Sequence, residues 1–192
     1  MATTATAIYG LGIQYDVSGA GPPVLFLNAH GSSAAHWARQ RLALQSRYRV
    51  ITFDNRPDVP AESVYQVPRL AEDAVALLDH LGIERAHVVG PSTGSLIAQE
   101  MALRHPERVR SLTLVSAWAH SGPLGQITQP VLVLAGAEDT LTPPHVSRAL
   151  AEALPNARFR QLPGGPGFIA EHSDRFNEVL IDFLAWLGAA SA

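Results

Sequence analysis

The stretch that decides the fold is residues 86–105, which read AHVVGPSTGSLIAQEMALRH. Its first four residues are almost all apolar, which is typical of a strand buried on both faces. The sequence GPSTG follows at once at residues 90–94, and a helical pattern begins after it. A Gly-x-Ser-x-Gly sequence between a strand and a helix indicates a sharp turn, because only small flanking residues let the helix fit against the strand. Such a turn lifts the Ser92 hydroxyl above the sheet at the positive end of the helix, where a developing negative charge is favoured.

The rest of the chain alternates apolar runs and helical patterns. Four further apolar runs predict strands at residues 24–27, 50–53, 112–115 and 131–134. Helical patterns occur at residues 37–45, 67–81, 96–105, 144–153 and 174–187. Since this alternation implies right-handed crossovers, we predict an α/β fold with a mostly parallel, doubly wound sheet. Residues 4–8 and 13–17 predict an antiparallel hairpin at one edge.

Composition restricts the class of protein. The chain has 192 residues, of which 47% are hydrophobic and 16% charged, so we expect one domain over residues 1–192 rather than a disordered chain. A net charge of −3 leaves no basic face for nucleic acid, and the absence of cysteine excludes thiolate chemistry. No apolar stretch approaches the roughly 20 residues that cross a bilayer, and residues 1–12 do not resemble a secretion signal. We therefore predict a soluble, cytoplasmic protein that acts on a small molecule, without a membrane partner.

Metal and cofactor signals are missing from the sequence. The eight histidines are scattered and lack the paired spacing with carboxylates that metal sites show. No glycine-rich loop with a lysine is present to hold a phosphate group. We predict that the protein works with neither a metal nor a cofactor.

The quoted segments resemble the α/β-hydrolase superfamily over nearly the whole chain. The resemblance is carried by HVVGPSTGSLIAQEMALRH, by QPVLVLAGAEDTLTPP and by the loop NAHGSSAAHW. It implies that Ser92 is the nucleophile and that Asp139 is the acid that orients a histidine. It also implies an oxyanion hole of two backbone N–H groups, one from Thr93 and one from the loop of Ala29 and His30, most simply that of His30.

The general base departs from this family pattern. The pattern would place a histidine after the glycines of LPGGPGF, where this chain has Pro166. Proline has no ionisable group, and a serine hydroxyl without a base is a weak nucleophile. We predict His30 and His120 as the replacements because both follow strand ends that face the pocket mouth, and we place them ahead of His172.

Two loops also depart from the pattern. Residues 116–130 are too short for the helical cap that the family usually inserts there, so the site is either open or covered by a second subunit. Trp118 in this segment suits a substrate platform or a dimer interface, and Leu124 and Ile127 would add to an apolar patch that favours a homodimer. The second departure is a shortened loop around Pro57, which removes another wall of the usual pocket. His36, beside Trp37, is assigned to packing.

Three functions fit these residues. The first is hydrolysis of a carboxylic ester, thioester or lactone through Ser92. The second is a lyase or cyclase reaction in the same pocket, in which the oxyanion donors stabilise an enolate-like charge and His30 or His120 moves a proton. The third is an inactive binding protein that keeps the hydrolase shell.

Overall fold

A computed structural model describes residues 4–8, 11–54 and 66–190, and one sheet of eight strands runs through these ranges. The strands are β1 (Thr4–Ile8), β2 (Leu11–Ser18), β3 (Pro23–Phe26), β4 (Arg49–Phe53), β5 (Ala86–Pro91), β6 (Val109–Val115), β7 (Val131–Gly136) and β8 (Ala157–Leu162). Their order across the sheet is β1-β2-β4-β3-β5-β6-β7-β8. The pairs β1–β2 and β2–β4 are antiparallel, and the remaining pairs are parallel. The predicted α/β fold with an N-terminal hairpin is confirmed.

Six α-helices accompany the sheet within the described ranges. They are α1 (Ala38–Leu44), α2 (Val67–His80), α3 (Thr93–Arg104), α4 (Pro144–Ala153), α5 (Phe168–Glu171) and α6 (Ser173–Ala190). One core packs residues of α2, α3 and α4, such as Leu77 and Met101, against one face of the sheet. A second core packs residues of α1, α5 and α6, such as Phe168 and Phe176, against the other face. Helices on both faces explain why the central strands read as continuous apolar runs.

Two elements escaped the sequence prediction, β8 and α5. In β8 the exposed Arg158 and Arg160 replace the apolar run that marks the central strands. This composition fits its place at the sheet edge, where only one neighbouring strand is present. The helix α5 has four residues, too few to display a periodic pattern.

The connection between β6 and β7 has no room for a cap, as predicted. Its residues 116–130 contain one turn of 3₁₀-helix, Leu124–Gln126. The predicted apolar patch is wrong, because Ile127 is fully buried in the core and Leu124 is half-buried against it. Trp118 alone of the three is exposed, at 36%. Leu124 and Ile127 are therefore not available for the dimer interface that was predicted for this segment.

The loop around Pro57, which the sequence predicts to be shortened, lies outside the described residues. In the described ranges, no helix combines the length and the apolarity that crossing a membrane requires.

Candidate active site

Ser92 stands on the turn between β5 and α3. Its backbone has φ 51° and ψ −120°, a left-handed conformation that is strained for a residue other than glycine. Its N–H donates to the Val115 carbonyl at 2.9 Å, which ties the turn to the end of β6. A Cβ atom on Gly90 would lie 2.2 Å from the carbonyl oxygen of Gly94, so the turn closes only with glycine at that flank. The structure thus places Ser92 where the sequence pattern predicts it, directly before the first residue of α3.

The loop after β3 packs against this turn. A Cβ atom on Gly94 would lie 3.0 Å from the Asn28 carbonyl oxygen, so loop and turn approach closely. The buried Asn28 side chain fixes the loop: its Nδ2 donates to the Phe53 carbonyl at 2.7 Å, and its Oδ1 accepts from Trp37 Nε1 at 3.0 Å. Small residues at 28–31 and the free N–H groups at the start of α3 are what an oxyanion hole needs. Ala29 and Thr93 stay the predicted oxyanion residues on this ground.

A cavity of about 440 Å³ opens beside Ser92, and most of its lining is apolar. One wall follows β3 and α1, and it consists of Ala29, Ser32 and residues 35–40. The floor is formed by Pro91, Ser92 and Ser116. The opposite wall is formed by Pro166, Gly167, Ile169 and Ala170. Its size and its lining suit a small organic substrate.

Asp139 lies buried after β7, and both of its carboxylate oxygens are occupied. The Ser116 hydroxyl donates to Oδ2 at 2.8 Å. The N–H groups of Leu141 and Thr142 donate to Oδ1 at 2.9 and 2.8 Å. In the part of the chain that the structure describes, no histidine contacts this carboxylate. Ser116, which also has a positive φ of 45° and lines the cavity, takes the contact that a triad histidine would make.

The loop that carries Pro166 is packed on the turn of Asp139. The Glu138 N–H donates to the Gly164 carbonyl at 3.0 Å. A Cβ atom on Gly136 would lie 2.5 Å from the same carbonyl oxygen. Pro166, in the same loop, lines the cavity, and the resemblance predicts the general base at about this position. At this point the wall is apolar and carries no proton acceptor.

The structure does not bring the predicted histidines to this cavity. His30 has an exposed side chain outside the cavity wall, so only its backbone N–H stays a candidate. In His120, Nδ1 accepts the Gly122 N–H at 2.9 Å, and Nε2 lies 2.9 Å from an oxygen of the buried Glu100. Both ring nitrogens of His120 are thus engaged away from Ser92.

The other two side chains weighed from the sequence also lie outside the cavity wall. His172 ends α5 with an exposed ring against Gly164. Trp118 is held through its carbonyl oxygen, which accepts from Gln99 Nε2 at 3.1 Å. A substrate platform at Trp118 has no support from the cavity lining.

One histidine that the sequence analysis assigned to packing does line the cavity. His36 is exposed, and its Nδ1 lies 3.1 Å from the Ser33 nitrogen and 3.2 Å from the Ser33 carbonyl oxygen. These two contacts exclude each other: Nδ1 accepts from the N–H when it carries no proton, and it donates to the carbonyl when it carries one. In the tautomer that carries its proton on Nδ1, this proton is donated to the carbonyl and Nε2 keeps a free lone pair. The signal in the sequence was its place directly before Trp37, in the first turn after the oxyanion loop.

Charge in the cavity wall comes from one arginine. Arg39 lines the cavity, and its Nη1 donates to the hydroxyl of the buried Ser173 at 3.2 Å. Among the described residues, no three His, Asp or Glu side chains group closely enough to hold a metal ion.

The one strongly shifted histidine lies at the opposite end of β5. Burial and the nearby Arg110 and Arg85 lower the pKa of His87 to about 4, and its Nδ1 lies 2.8 Å from the Ser111 hydroxyl. It is therefore neutral at physiological pH.

The fold, the nucleophile turn and the acid after β7 define a protein of the α/β-hydrolase type. The family model described as the alpha/beta hydrolase fold matches residues 22–125, and the chain belongs to this family. A Caulobacter segnis protein named carbamate hydrolase RutD is 30% identical, over 90% of this chain and 96% of that protein. Its alignment extends over 261 residues, whereas 90% of 192 is about 173, so about 88 aligned positions have no residue here. This difference agrees with the short connection between β6 and β7.

Solved structures share the fold. One is the crystal structure of the Mycobacterium tuberculosis protein named non-heme bromoperoxidase BpoC, whose sequence is 25% identical to this chain. The alignment covers 92% of this chain and 97% of that protein, and the TM-score is 0.81. The enol-lactonase of Burkholderia xenovorans is 22% identical to this chain. The alignment covers 95% of this chain and 100% of the enol-lactonase, with a TM-score of 0.86. Relatives named as hydrolases support an enzyme of the hydrolase class.

Proposed function

We propose that this protein hydrolyses a small carboxylic ester, thioester or lactone through an acyl-enzyme on Ser92. The observation that carries the proposal is the strained position of Ser92, which opens onto a cavity of apolar lining at the N-terminus of α3. A strained backbone at a cavity floor is typical of functional positions. Relatives named as hydrolases add support.

The reaction follows from this geometry in two steps. Ser92 Oγ attacks the substrate carbonyl carbon, and the oxyanion is stabilised by the N–H of Thr93 and by an N–H of the loop of Ala29 and His30. The bond to the leaving group breaks, and the leaving group takes a proton. Water then attacks the acyl group on Ser92, which releases the carboxylic acid and restores the hydroxyl.

The proton acceptor in this proposal is His36. It is the histidine of the described cavity wall, and its Nε2 has no hydrogen-bond partner among the described residues. The Ser33 carbonyl can orient the ring through Nδ1, as a carboxylate does in a catalytic triad. His36→Gln is expected to lower the turnover of a small activated ester by about 10- to 100-fold, near the lower end of general-base effects. The matched control is His145→Gln at an exposed position of α4 outside the cavity wall, and equal losses in the two variants would contradict this role.

The expected activity is low. Asp139 is engaged by Ser116 and by two backbone N–H groups, and the wall beside it is formed by Pro166. A base that is not paired with a buried carboxylate lacks the orientation and the charge stabilisation that the triad supplies. The same observation keeps a second candidate open, an acyl-binding protein that does not turn its ligand over.

The deciding experiment uses p-nitrophenyl butyrate. We expect a burst of p-nitrophenol and a butyryl adduct that mass spectrometry assigns to Ser92. Ser92→Ala should abolish both, whereas Ser121→Ala, at an exposed loop position, should retain both. Turnover that survives Ser92→Ala would favour a lyase or cyclase, and binding without turnover would favour the binding protein.

We propose that the substrate is a small molecule. A homodimer and a cytoplasmic location stay predictions from the sequence. Light scattering at tens of micromolar, a range suited to a weak dimer, tests the first of these.

A further inference from the structure

The cavity beside Ser92 is lined by one fixed positive charge and by no carboxylate among the described residues. Arg39 supplies this charge, and His36 in the same wall is the other ionisable side chain. Asp139 is buried, accepts a hydrogen bond from Ser116 and does not line the cavity. Arg39 is itself an exposed residue, so water screens its charge in the free protein. A ligand that fills the apolar cavity displaces part of this water, and an anionic group on the ligand then gains from the arginine.

The guanidinium of Arg39 is positioned but largely unused. Its Nη1 donates to Ser173 Oγ at 3.2 Å, which links α1 to the start of α6. A guanidinium carries five N–H donors, so several stay available. Arg41 and Arg108 pair with the carboxylates of Asp16 and Asp79. Arg39 pairs with no acidic side chain in the described ranges.

A second feature of the same wall is a buried donor without a partner. Gln40, the next residue of α1, is 1% exposed and lines the cavity. Its buried Nε2 has no hydrogen-bond partner among the described residues. A buried donor without a partner carries a free-energy penalty that an acceptor nearby would relieve. Gln40 therefore adds a second side-chain donor beside Arg39, which a ligand reaches only when the amide group turns toward the cavity.

We propose that the substrate carries a carboxylate, remote from the carbonyl that Ser92 attacks, and that Arg39 binds it. This inference rests on the proposed function and names its substrate class: the half-ester, half-thioester or lactone of a compound with a second, free carboxylate. The Arg39 guanidinium holds the free carboxylate by charge-assisted hydrogen bonds, while the apolar wall contacts the carbon chain between the two ends. Arg39 is a specificity-determining residue in this proposal and takes no part in bond breaking.

The test compares two esters that differ in the distal charge. One is the p-nitrophenyl half-ester of adipic acid, and the other is p-nitrophenyl hexanoate, which has the same number of acyl carbons and no distal charge. We expect kcat/KM for the adipate half-ester to exceed that for the hexanoate by about 10- to 100-fold, the range of a hydrogen bond to a charged group. The half-ester of suberic acid against p-nitrophenyl octanoate repeats the comparison with a longer chain.

Variants of Arg39 test whether this residue causes the preference for the charged ester. Arg39→Leu should remove the preference for the adipate half-ester and leave the hexanoate within about threefold of wild type. Arg39→Lys should restore part of the preference, because lysine keeps the charge without the planar fork. The matched control is Arg47→Leu at an exposed arginine outside the cavity wall, which should leave the preference unchanged.

Binding without turnover gives an independent readout. In the Ser92→Ala variant, isothermal titration calorimetry should show that adipate binds more tightly than hexanoate, and that adding Arg39→Leu removes the difference. Equal binding of the two acids, or a preference that persists after Arg39→Leu, overturns the proposal. Loss of the Ser92 burst overturns the proposed function instead, since the calorimetric comparison does not depend on it.

Discussion

On one side of the cavity, Ser92 stands on a turn that only glycine at position 90 can close, against a loop locked by the Asn28 side chain. On the other side, Asp139 accepts three hydrogen bonds from its own surroundings, and Pro166 stands beside it. The side of Ser92, the proposed nucleophile, has the close packing that such a turn requires. The side of Asp139 has a buried carboxylate, and no described histidine contacts it.

This difference indicates that the turn of Ser92 can form without the histidine that would complete a catalytic triad. The nucleophile turn depends on backbone packing between β5, α3 and the loop after β3, which a single distant substitution does not disturb. The acid side depends on one side chain, and its replacement by proline leaves the loop in place, because the backbone contacts of Gly164 with the turn of Glu138 do not need an imidazole. Ser116 then satisfies the carboxylate.

The largest expected effect comes from restoring the imidazole. Pro166→His should raise kcat/KM for p-nitrophenyl butyrate by about 10²- to 10⁴-fold, the contribution typical of a positioned general base. The neighbouring Gly165 and Gly167 leave the ring space to turn toward Ser92. Stopped-flow or plate-reader assays of p-nitrophenol release measure the change.

The matched control for this substitution is Pro166→Asn, which fits the same loop without a proton acceptor. Asp139→Asn in the Pro166→His background should remove most of the gain. A comparable gain with asparagine would mean that the proline restricts the loop, and that the acid side is not chemically deficient.

Glycine packing should distinguish the turn of Ser92 from the position directly before Pro166 in stability. Gly90→Ala places a Cβ atom 2.2 Å from a backbone carbonyl oxygen and should lower the free energy of unfolding by about 3 kcal/mol or more. Gly165→Ala, whose nearest contact would be an ordinary 3.5 Å, should change it by less than about 1 kcal/mol. Urea unfolding followed by circular dichroism measures both, and similar losses would contradict the contrast between these two positions.

His87, at the end of β5 opposite Ser92, should make the stability of the fold depend on pH without affecting the chemistry of the cavity. The pKa of His87 is about 4 in the folded chain, against an ordinary value near 6.5. The unfolded chain therefore binds more protons as the pH falls from 6.5 to 4, so His87 lowers stability over this window, by at most about 3 kcal/mol, and has no effect above it.

His87→Gln should flatten the pH dependence of stability between pH 6.5 and 4, without moving the pH dependence of ester hydrolysis at temperatures where both proteins are folded. Thermal unfolding measured at a series of pH values provides the data. An unchanged slope would mean that other groups dominate acid unfolding.

The smallest expected effect is that of Asp139→Asn in the otherwise unchanged protein. Because no described histidine contacts this carboxylate, we expect kcat for p-nitrophenyl butyrate to change by less than about threefold. The amide keeps one acceptor oxygen but loses charge-assisted bonds, so the free energy of unfolding should fall by about 1 to 2 kcal/mol. A 100-fold loss of activity would show that Asp139 acts in catalysis through Ser116.

The fold and the turn that carries Ser92 were predictable because their signals are local. Apolar runs between Gly, Pro, Asn and Ser marked the central strands, since burial on both faces constrains each residue of such a strand. GPSTG marked Ser92 because steric closure of that turn depends on its own neighbours. The edge strand β8 was missed because exposure relaxes its composition, and Arg158 and Arg160 then obscure the pattern.

The histidines were not predictable in the same way. Position after a strand end suggested that His30 and His120 face the pocket, but the ring of His120 is held by Glu100 and Gly122, and the ring of His30 is exposed. His36 and Arg39 line the cavity, although the place of His36 beside Trp37 was interpreted as packing and no pattern marked Arg39. The direction of a side chain depends on partners that are distant in sequence, and such partners leave no local pattern.

The sequence by itself determined that the chain folds as an α/β hydrolase and that Ser92 occupies the turn between β5 and α3, and it predicted a proline at about the family's histidine position. These properties follow from steric and hydrophobic constraints within a few consecutive residues. Only the tertiary structure decided which ionisable groups share the cavity, because packing of α1, Ser116 and the Pro166 loop around Ser92 joins segments from across the whole chain. Buried hydrogen bonds then fix each group's orientation, and their partners are assembled only when the sheet and both helical layers have formed.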